Sequence, residues 1–227
     1  MTDNQCINDS QSTCPMCAEL NSGKMPNELI DKSGLRDRIL VENDEFVIIP
    51  SVSPLKMGHI MIVPRKHITS IVQLSVASVL KFEEFKKEIV LRITRKLGPV
   101  FCWEHGVGKN KNGGCGITHA HFHILPLIDE HATQIDSTLS QMFPHVMVAD
   151  SMKVFHDRSD SSCSYLYWEI NSMSPRIVTS EGIKSQLMRE LICKVENLDN
   201  WNWKEYNNWQ DFRETVQSLQ FIYQTLP

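Results

Sequence analysis

Three histidines alternate with apolar residues in the segment 119–126, whose sequence is HAHFHILP. Successive side chains of a β-strand point to opposite faces, so His119, His121 and His123 would share one face while the residues between them enter the core. A single histidine on such a face is commonly structural, but packing alone rarely places three in a row. The segment therefore predicts a strand with a chemically active face, and three purely structural histidines are the alternative.

The rest of the hydrophobic pattern places this strand in a mixed fold. Between residues 75 and 97, apolar side chains recur every three or four positions, and Gly98 follows to end the run. This spacing predicts a long amphipathic helix that buries Phe82, Phe85, Ile89, Ile93 and Leu97. Short β-type runs precede it at 38–41, 45–49 and 59–63, and others follow at 99–104 and 119–127. The order predicts an α+β fold in which the helix packs on a mainly antiparallel sheet.

The charge balance and the cysteine count narrow the class of protein. The chain has 227 residues, with 23 Lys+Arg against 27 Asp+Glu, so it lacks the basic excess that favours nucleic acid or anionic membranes as partners. The polar N-terminus lacks the order of a signal peptide, and no stretch approaches the roughly 18 apolar residues of a membrane span. Seven cysteines, an odd number, favour reduced thiols or metal ligands over a disulfide framework. We therefore expect a cytoplasmic protein that binds neither nucleic acid nor membrane.

The two ends of the chain differ from its middle. Residues 1–13 are polar and predict a mobile tail. Beyond about residue 131 the pattern weakens to a strand-like run at 164–170 and a helical run from 183 to about 195. The last segment carries closely spaced aromatic residues, namely Trp201, Trp203, Tyr206, Trp209 and Phe212. We expect these rings to anchor a C-terminal helix onto the sheet, and a substrate-stacking or dimer surface is the alternative.

A pair of cysteines stands at the start of the ordered part of the sequence. Cys14 and Cys17 are separated by two residues, a spacing that lets both thiolates bind one tetrahedral ion. A thioredoxin-type redox pair uses the same spacing, but it requires a βαβ context that the preceding polar tail does not provide. The spacing therefore favours zinc, with redox chemistry or simple packing as alternatives.

A glycine-rich loop spans residues 104–118, directly before the histidine strand. Glycines let backbone N–H groups approach a phosphate closely, and Lys109 or Lys111 could add positive charge. We expect the two lysines to be solvated. The predicted phosphate cradle is the stretch closest to the histidines, formed by the backbone of Gly114, Cys115, Gly116 and Ile117. The alternative is a flexible hairpin without a ligand.

The histidine segment resembles the signature of the histidine triad (HIT) superfamily, His-φ-His-φ-His-φ-φ, where φ is apolar. The segment 58–68, GHIMIVPRKHI, is similar to the family's glycine-histidine-strand-proline-histidine segment. The resemblance covers about residues 14–130 and implies a five-stranded antiparallel sheet with a packed helix. Residues 131–227 would then be an extension of strand and helices that packs on this HIT-like core. A homodimer is a further expectation for a member of this family.

The resemblance also implies two sites. The structural zinc of many bacterial members would be held here by Cys14, Cys17, His67 and His119, which are all competent ligands. The central histidine, His121, would attack the α-phosphorus of a nucleotidyl compound, and His123 would bind the phosphate or assist the leaving group. An imidazole with a pKa near 6.5 is roughly three-quarters neutral at pH 7, so a nucleophile is available without a strong base.

The resemblance further implies a hydrolase, because hydrolase branches have histidine at the third triad position, whereas transferase branches have glutamine. We expect a nucleotide or other phosphoryl compound as substrate and cleavage of a phosphoramidate, phosphoanhydride or phosphoester bond. The alternatives are a nucleotidyltransferase or phosphorylase, and a nucleotide-binding module with little catalysis. One position departs from the family pattern: Ser51 stands where nucleoside-binding members place an aspartate for the ribose, so a ribose contact does not carry over.

Overall fold

The computed structural model describes residues 14–108, 117–158, 162–171, 173–179 and 182–219, so the predicted tail at 1–13 lies outside the described residues. The first half of the described chain consists of α1 (Pro15–Ser22), α2 (Asn27–Ser33), β1 (Val41–Glu42), β2 (Phe46–Pro50), β3 (Ile60–Pro64), α3 (Val76–Leu97), β4 (Val100–Gly106) and β5 (Phe122–Pro126). The second half consists of α4 (Asp129–Met142), β6 (Met147–Val148), α5 (Met152–Arg158), β7 (Tyr165–Ile170), β8 (Arg176–Thr179), α6 (Leu187–Glu196) and α7 (Trp209–Leu219).

The strands form one antiparallel sheet in the order β1-β2-β3-β5-β4-β7-β8-β6, which confirms the α+β class. The strand number, however, is eight rather than the predicted five. β1 to β5 form the expected part of the sheet, and the segment beyond residue 131 adds three strands. The extra strands start where β7 pairs with β4 from Phe101↔Ile170 to Gly106↔Tyr165. This pairing satisfies backbone groups that an open β4 edge would leave exposed.

The long helix α3 confirms the predicted amphipathic run. Its N-cap residue is Ser75, whose Oγ accepts a hydrogen bond from the Ser78 N–H at 3.1 Å, and it ends at Gly98, whose φ is +93°. Its buried face includes Phe82, Phe85 and Ile89, as the spacing predicts. The helix therefore packs on the sheet through the residues that the sequence pattern assigned to the core.

The two faces of the sheet are covered differently. On one face, α3, α5 and α7 form a continuous hydrophobic core with the sheet. On the other face, α1 covers β2 and β3, while α4 and α6 cover β4 and β7. His123 on β5 lies between these two halves, because it pairs with Met61 of β3 on one side and with Trp103 of β4 on the other. The second face thus has a gap at the histidine strand.

The structure separates the C-terminal aromatic residues that the sequence brings together. Trp209 and Phe212 make an edge-to-face contact on α7, with ring centroids 5.6 Å apart, and they join the core on the same face of the sheet as α3. Trp201 packs against the opposite core, and Trp203 lines a cleft described below. Tyr206 is exposed. Part of the segment therefore anchors α7, and part reaches the other face of the sheet.

Candidate functional site

The three histidines of the triad serve two neighbouring sites. His119 lies beside the cysteines of α1, whereas His121 and His123 lie together, with ring centroids 4.9 Å apart. All three side chains are buried. The prediction of one strand that carries all three histidines is wrong, because β5 begins at Phe122 and only His123 lies on it. His119 and His121 precede the strand, so His119 lies beside the cysteines while His121 and His123 lie in the gap of the sheet.

The first site consists of the predicted metal ligands. One ligand atom from each of Cys14, Cys17, His67 and His119 lies within 4.8 Å of all the others. The Cys17 sulfur is 3.2 Å from Nδ1 of His67 and 3.4 Å from Nδ1 of His119, and the Cys14 sulfur is 3.6 Å from Nδ1 of His119. Zn–S bonds of about 2.3 Å and Zn–N bonds of about 2.0–2.1 Å in a tetrahedron place S and N about 3.5 Å apart. The spacing of these atoms therefore fits a tetrahedral metal site with Cys₂His₂ ligands.

A backbone carbonyl also prepares His119 for this role. Nε2 of His119 lies 2.7 Å from the carbonyl oxygen of Pro64, which can only accept, so the proton is on Nε2 and the lone pair is on Nδ1. Nδ1 is the atom that faces the sulfurs. Metal-binding histidines typically donate their second nitrogen in this way, which fixes the ring and its tautomer.

The second site contains His121, whose proton is on the other ring nitrogen than in His119. Nδ1 of His121 lies 2.7 Å from the carbonyl oxygen of His119, so Nδ1–H donates and Nε2 keeps the lone pair. Burial lowers the pKa of His121, and the hydrogen bond to the His119 carbonyl partly offsets this effect. His121 is therefore a neutral imidazole with a fixed orientation and an unprotonated Nε2.

His123 is oriented by a second histidine that precedes β3. The Leu55 N–H donates to Nδ1 of His59 at 3.2 Å, so the proton of a neutral His59 is on Nε2. Nε2 of His59 lies 3.0 Å from Nδ1 of His123, which must then accept. His123 is left with its proton on Nε2. The chain of hydrogen bonds therefore makes neutral His123 a donor at Nε2.

The surroundings of these rings keep them uncharged. Burial, and then the nearby His121, His59 and Arg189, hold the pKa of His123 well below its ordinary value. Burial likewise holds the pKa of His59 well below its usual range. The Trp103 ring stacks on His123 with a centroid distance of 4.5 Å and an interplanar angle of 10°. Stacking and hydrogen bonding together fix the plane of the His123 ring.

A narrow cleft with a cavity volume of about 50 Å³ lies over His121 and His123. Its base is formed by sheet residues that include Met61, Trp103 and His105. Ser51 and Val52, which follow β2, line it as well, and its other lining residues are Met16, Arg38, Ile117, Leu166, Gln186, Leu187, Met188, Arg189 and Trp203. Most of these side chains are apolar. The cleft therefore combines two imidazoles with a largely apolar enclosure, which is typical of a small-molecule site.

The structure places the predicted site residues unevenly. His121, His123 and Ile117 line the cleft, and Ser51 lines it too. The rest of the predicted phosphate cradle, Gly114, Cys115 and Gly116, lies outside the described residues, as do Lys109 and Lys111. Trp103 and His105 also line the cleft. The strand pattern of residues 101–105 could have indicated that these two side chains share a face, because alternate residues of a strand point to the same side of the sheet.

Other residues of the site were not assigned a role from the sequence. His59 belongs to the segment 58–68, which was compared with the family's glycine-histidine-strand-proline-histidine segment. Its position directly after Gly58 was the one sequence feature that could have indicated a role for it. Gly58 itself has φ +91°, and a Cβ there would lie 2.7 Å from Leu97 and Pro126 side-chain atoms, so the turn that presents His59 requires glycine. Trp203 belongs to the aromatic segment for which substrate stacking was the alternative role, and it is the residue of that segment that lines the cleft. Arg189 gave no local signal, because only the fold brings it to the cleft.

The sheet, the long helix and the histidine-lined cleft define an α+β protein with a histidine-based site. A family model described as "HIT domain" matches residues 33–130. The matched segment is therefore similar to a HIT domain, and it includes β1 to β5 and all three histidines of the 119–123 segment. No curated protein matches the chain.

Several solved structures are similar to this chain at low sequence identity. A zinc-bound histidine triad family protein from Mycobacterium smegmatis is 18% identical, with a TM-score of 0.38, over 52% of this chain and 78% of that one. A HIT family hydrolase from Clostridium thermocellum is 19% identical, with a TM-score of 0.35, over 52% of this chain and 92% of that one. A hypothetical histidine triad nucleotide-binding protein from Sulfolobus tokodaii is 15% identical, with a TM-score of 0.38, over 91% and 94% of the two chains.

Within the described residues, no helix combines the length and the apolar character needed to cross a bilayer.

Proposed function

We propose that this protein is a hydrolase that cleaves a nucleotidyl phosphoramidate, phosphoanhydride or phosphoester through a covalent intermediate on His121. The observation that carries the proposal is the 2.7 Å hydrogen bond between Nδ1 of His121 and the His119 carbonyl. This bond leaves the lone pair on Nε2 of a residue that lines the cleft. A neutral imidazole held in this way is competent for nucleophilic attack without a separate base.

In the first step, the Nε2 lone pair attacks the α-phosphorus and forms an N–P bond. The bond between phosphorus and the leaving group breaks, and the leaving group keeps its electron pair and takes a proton from solvent where its basicity requires one. The His121 ring then carries a positive charge. Its Nδ1–H remains bonded to the His119 carbonyl, and this hydrogen bond strengthens as the charge develops.

In the second step, water attacks the same phosphorus and the N–P bond breaks. The electron pair of that bond returns to Nε2, and the proton lost by water passes to solvent. The products are a nucleoside monophosphate and the released leaving group, so one water molecule is consumed in each cycle. Two displacements replace one, which lowers each barrier.

His123 is proposed to bind a phosphoryl oxygen rather than to protonate the leaving group. Its low pKa disfavours the charged ring, and the hydrogen bond from His59 keeps a proton on Nε2 of the neutral ring. A fixed donor at the phosphoryl group stabilises charge that develops in the transition state. The backbone of Gly114, Cys115, Gly116 and Ile117 is proposed to supply further donors, and the position of Ile117 in the cleft lining supports this.

The four-residue cluster of Cys14, Cys17, His67 and His119 is proposed to hold a structural zinc ion. Two sulfurs and two imidazole nitrogens saturate a tetrahedral ion, so the ion would stabilise the fold and leave no open position for substrate. It would tie α1 to the end of β3 and to the histidine strand. We accordingly propose that the functional domain begins at residue 14 and extends to about 130, with 131–227 as an extension.

The proposal is tested by intact-protein mass spectrometry after rapid quenching at neutral or alkaline pH. The substrates are nucleotide phosphoramidates, dinucleoside polyphosphates and nucleotide sugars. Wild type should show a transient nucleotidyl adduct, and His121→Ala should show none. His145→Ala is the matched control, because His145 is an exposed histidine outside the cleft lining, and it should behave as wild type.

The same experiment separates hydrolysis from the alternatives. Added inorganic phosphate or sugar acceptors should not divert product from the nucleoside monophosphate if water is the natural acceptor. Diversion of most of the product to the acceptor would instead indicate a transferase or phosphorylase. Tight nucleotide binding without any adduct, equally strong in wild type and His121→Ala, would indicate a binding module.

A further inference from the structure

Part of the wall of the cleft comes from segments outside the matched HIT domain, residues 33–130. The base of the cleft, with Met61, Trp103 and the two histidines, belongs to the domain, and so do the lining residues of the loop that follows β2. Met16 of α1 also reaches the cleft. A further stretch of the wall comes from the C-terminal extension and consists of Gln186, Leu187, Met188, Arg189 and Trp203. The two histidines and a large part of the wall that surrounds them are therefore encoded in different parts of the chain.

The C-terminal wall is held together by Gln186. This buried residue has φ +59°, in the left-handed region that residues other than glycine rarely adopt. Its side chain donates to Asn202 Oδ1 at 2.9 Å and accepts from the Trp203 N–H at 3.1 Å. These bonds hold the segment that carries Trp203 against the start of α6, where Met188 lies. The conformation of Gln186 is thus maintained by contacts that place Trp203.

Arg189 connects this wall to the catalytic histidines. Its guanidinium is buried and donates to the carbonyl of Trp201 at 2.7 Å and to the carbonyl of Ser53 at 2.9 Å. Ser53 follows Ser51 and Val52, which line the cleft, and the same loop leads to His59. Ser53 Oγ also donates to the Tyr206 carbonyl at 2.6 Å. The extension is therefore fixed to the loop that shapes the other part of the cleft.

We infer that Trp203, together with Met188, is the specificity-determining contact of the cleft and binds the nucleobase of the substrate. The inference rests on the proposed function, since a nucleotidyl group whose phosphorus meets His121 must place its remaining atoms within the same cleft. Trp203 is half-buried, so part of its ring is accessible to a ligand. An indole and a thioether offer polarisable surfaces that suit a flat aromatic ring.

The test compares ligands that differ only by the base. Binding of a nucleoside monophosphate and of ribose 5-phosphate is measured by calorimetry for wild type, Trp203→Ala and Trp203→Phe. Trp203→Ala should weaken nucleoside monophosphate binding about tenfold or more and should leave ribose 5-phosphate binding within twofold, as expected for loss of one stacked base. Trp203→Phe should recover most of the affinity. Met188→Ala should show the same selectivity with a smaller effect.

Tyr206→Ala is the matched control, because Tyr206 is an exposed aromatic residue of the same segment and only its backbone carbonyl contacts Ser53. It should leave both affinities unchanged, and thermal melting of each variant confirms folding. Equal losses for both ligands in Trp203→Ala, or no loss for either, would overturn the inference. Binding is measured without turnover, so a base-selective loss of affinity supports the inference about Trp203 whether or not an adduct forms on His121. Absence of an adduct would refute only the proposed covalent mechanism.

Discussion

The metal cluster and the cleft use histidines from the same short segment, but they present opposite ring nitrogens. His119 donates from Nε2 to the Pro64 carbonyl and faces the cysteines with Nδ1. His121 donates from Nδ1 to the His119 carbonyl, which leaves Nε2 for the cleft. In both cases a backbone carbonyl selects the tautomer. Two histidines separated by one residue, directly before β5, thus present different ring nitrogens, because the local acceptor decides which nitrogen keeps its lone pair. This difference is what the proposed roles of metal ligand and nucleophile require.

The largest effect should come from His121→Ala, which removes the nucleophile but none of the metal ligands. Turnover should fall at least about 10³-fold, as is typical when a covalent catalyst is lost. Steady-state assays with the substrate that gives an adduct measure this loss, and metal analysis should still find about one ion per chain. Loss of the metal in this variant would show that metal binding depends on His121, and would contradict the division into a metal cluster and a separate cleft.

Cys17→Ser is the converse experiment on the metal cluster. Because a structural zinc ion contributes folding free energy, the variant should lose bound metal and several kcal/mol of stability, about 3 or more. Chemical denaturation and metal analysis measure both quantities. The control is Cys163→Ser, which changes a free, half-buried cysteine outside the cluster and should have little effect. Wild-type zinc content near zero would remove the proposed metal site.

His59→Phe tests whether the hydrogen bond to His123 orients the phosphate-binding ring. His59 is a positioning residue, so its loss should lower kcat by about 10- to 100-fold, comparable with the loss of an outer hydrogen-bond partner of a ligating histidine. His59→Gln keeps an N–H donor near His123 and should recover part of kcat. Steady-state kinetics with separate kcat and KM values check this, and an equal loss in both variants would indicate a purely steric role.

A smaller effect should come from Glu104, which alternates with Trp103 and His105 along β4 and so faces the opposite side of the sheet. Burial raises the pKa of Glu104 to about 8, against the opposing hydrogen bonds from Tyr165 and the Ile71 backbone. Between about pH 4.5 and 8 the unfolded chain has released a proton that the folded chain retains, so folding stability falls as pH rises, by about 1.4 kcal/mol per unit.

Glu104→Gln preserves the shape of the protonated acid and removes its titration. Relative to wild type, the variant should therefore gain about 1 kcal/mol of stability per unit between pH 6 and 8. Urea denaturation at several pH values measures the difference. A constant difference across this range would mean that Glu104 is ionised in the folded protein and that its surroundings are more polar than described.

The features that could be predicted from the sequence are those in which local spacing determines the outcome. The period of α3 identified its buried face, and the alternation at 119–126 together with the Cys14–Cys17 spacing identified residues that the fold brings together. Of the three additional strands, β7 confirms the strand-like run predicted at 164–170, whereas β6 and β8 were missed, because they have only two and four residues. Such short strands depend on pairing with neighbours rather than on their own pattern.

The walls of the cleft could not be predicted for a related reason. Met188 and Arg189 are far from the triad in sequence, and their relation to it arises only from the packing of α6 on the second face of the sheet. Trp203 belongs to the segment for which substrate stacking was an alternative, but the sequence does not indicate which of its aromatic rings reaches the cleft. The tautomers of His119 and His121 could not be predicted from the sequence either, because they depend on two carbonyl oxygens whose positions are set by the folded backbone.

The most direct test of the central claim is to identify the nitrogen of His121 that bonds to phosphorus. Protein labelled with ¹⁵N-histidine is quenched in alkaline denaturant during turnover, and one-bond ¹⁵N–³¹P coupling in the isolated peptide distinguishes Nε2 from Nδ1. We expect phosphorus on Nε2 of His121, because Nδ1 is protonated and donates to the His119 carbonyl. Phosphorus on Nδ1, or on His105 or His123 instead, would contradict it.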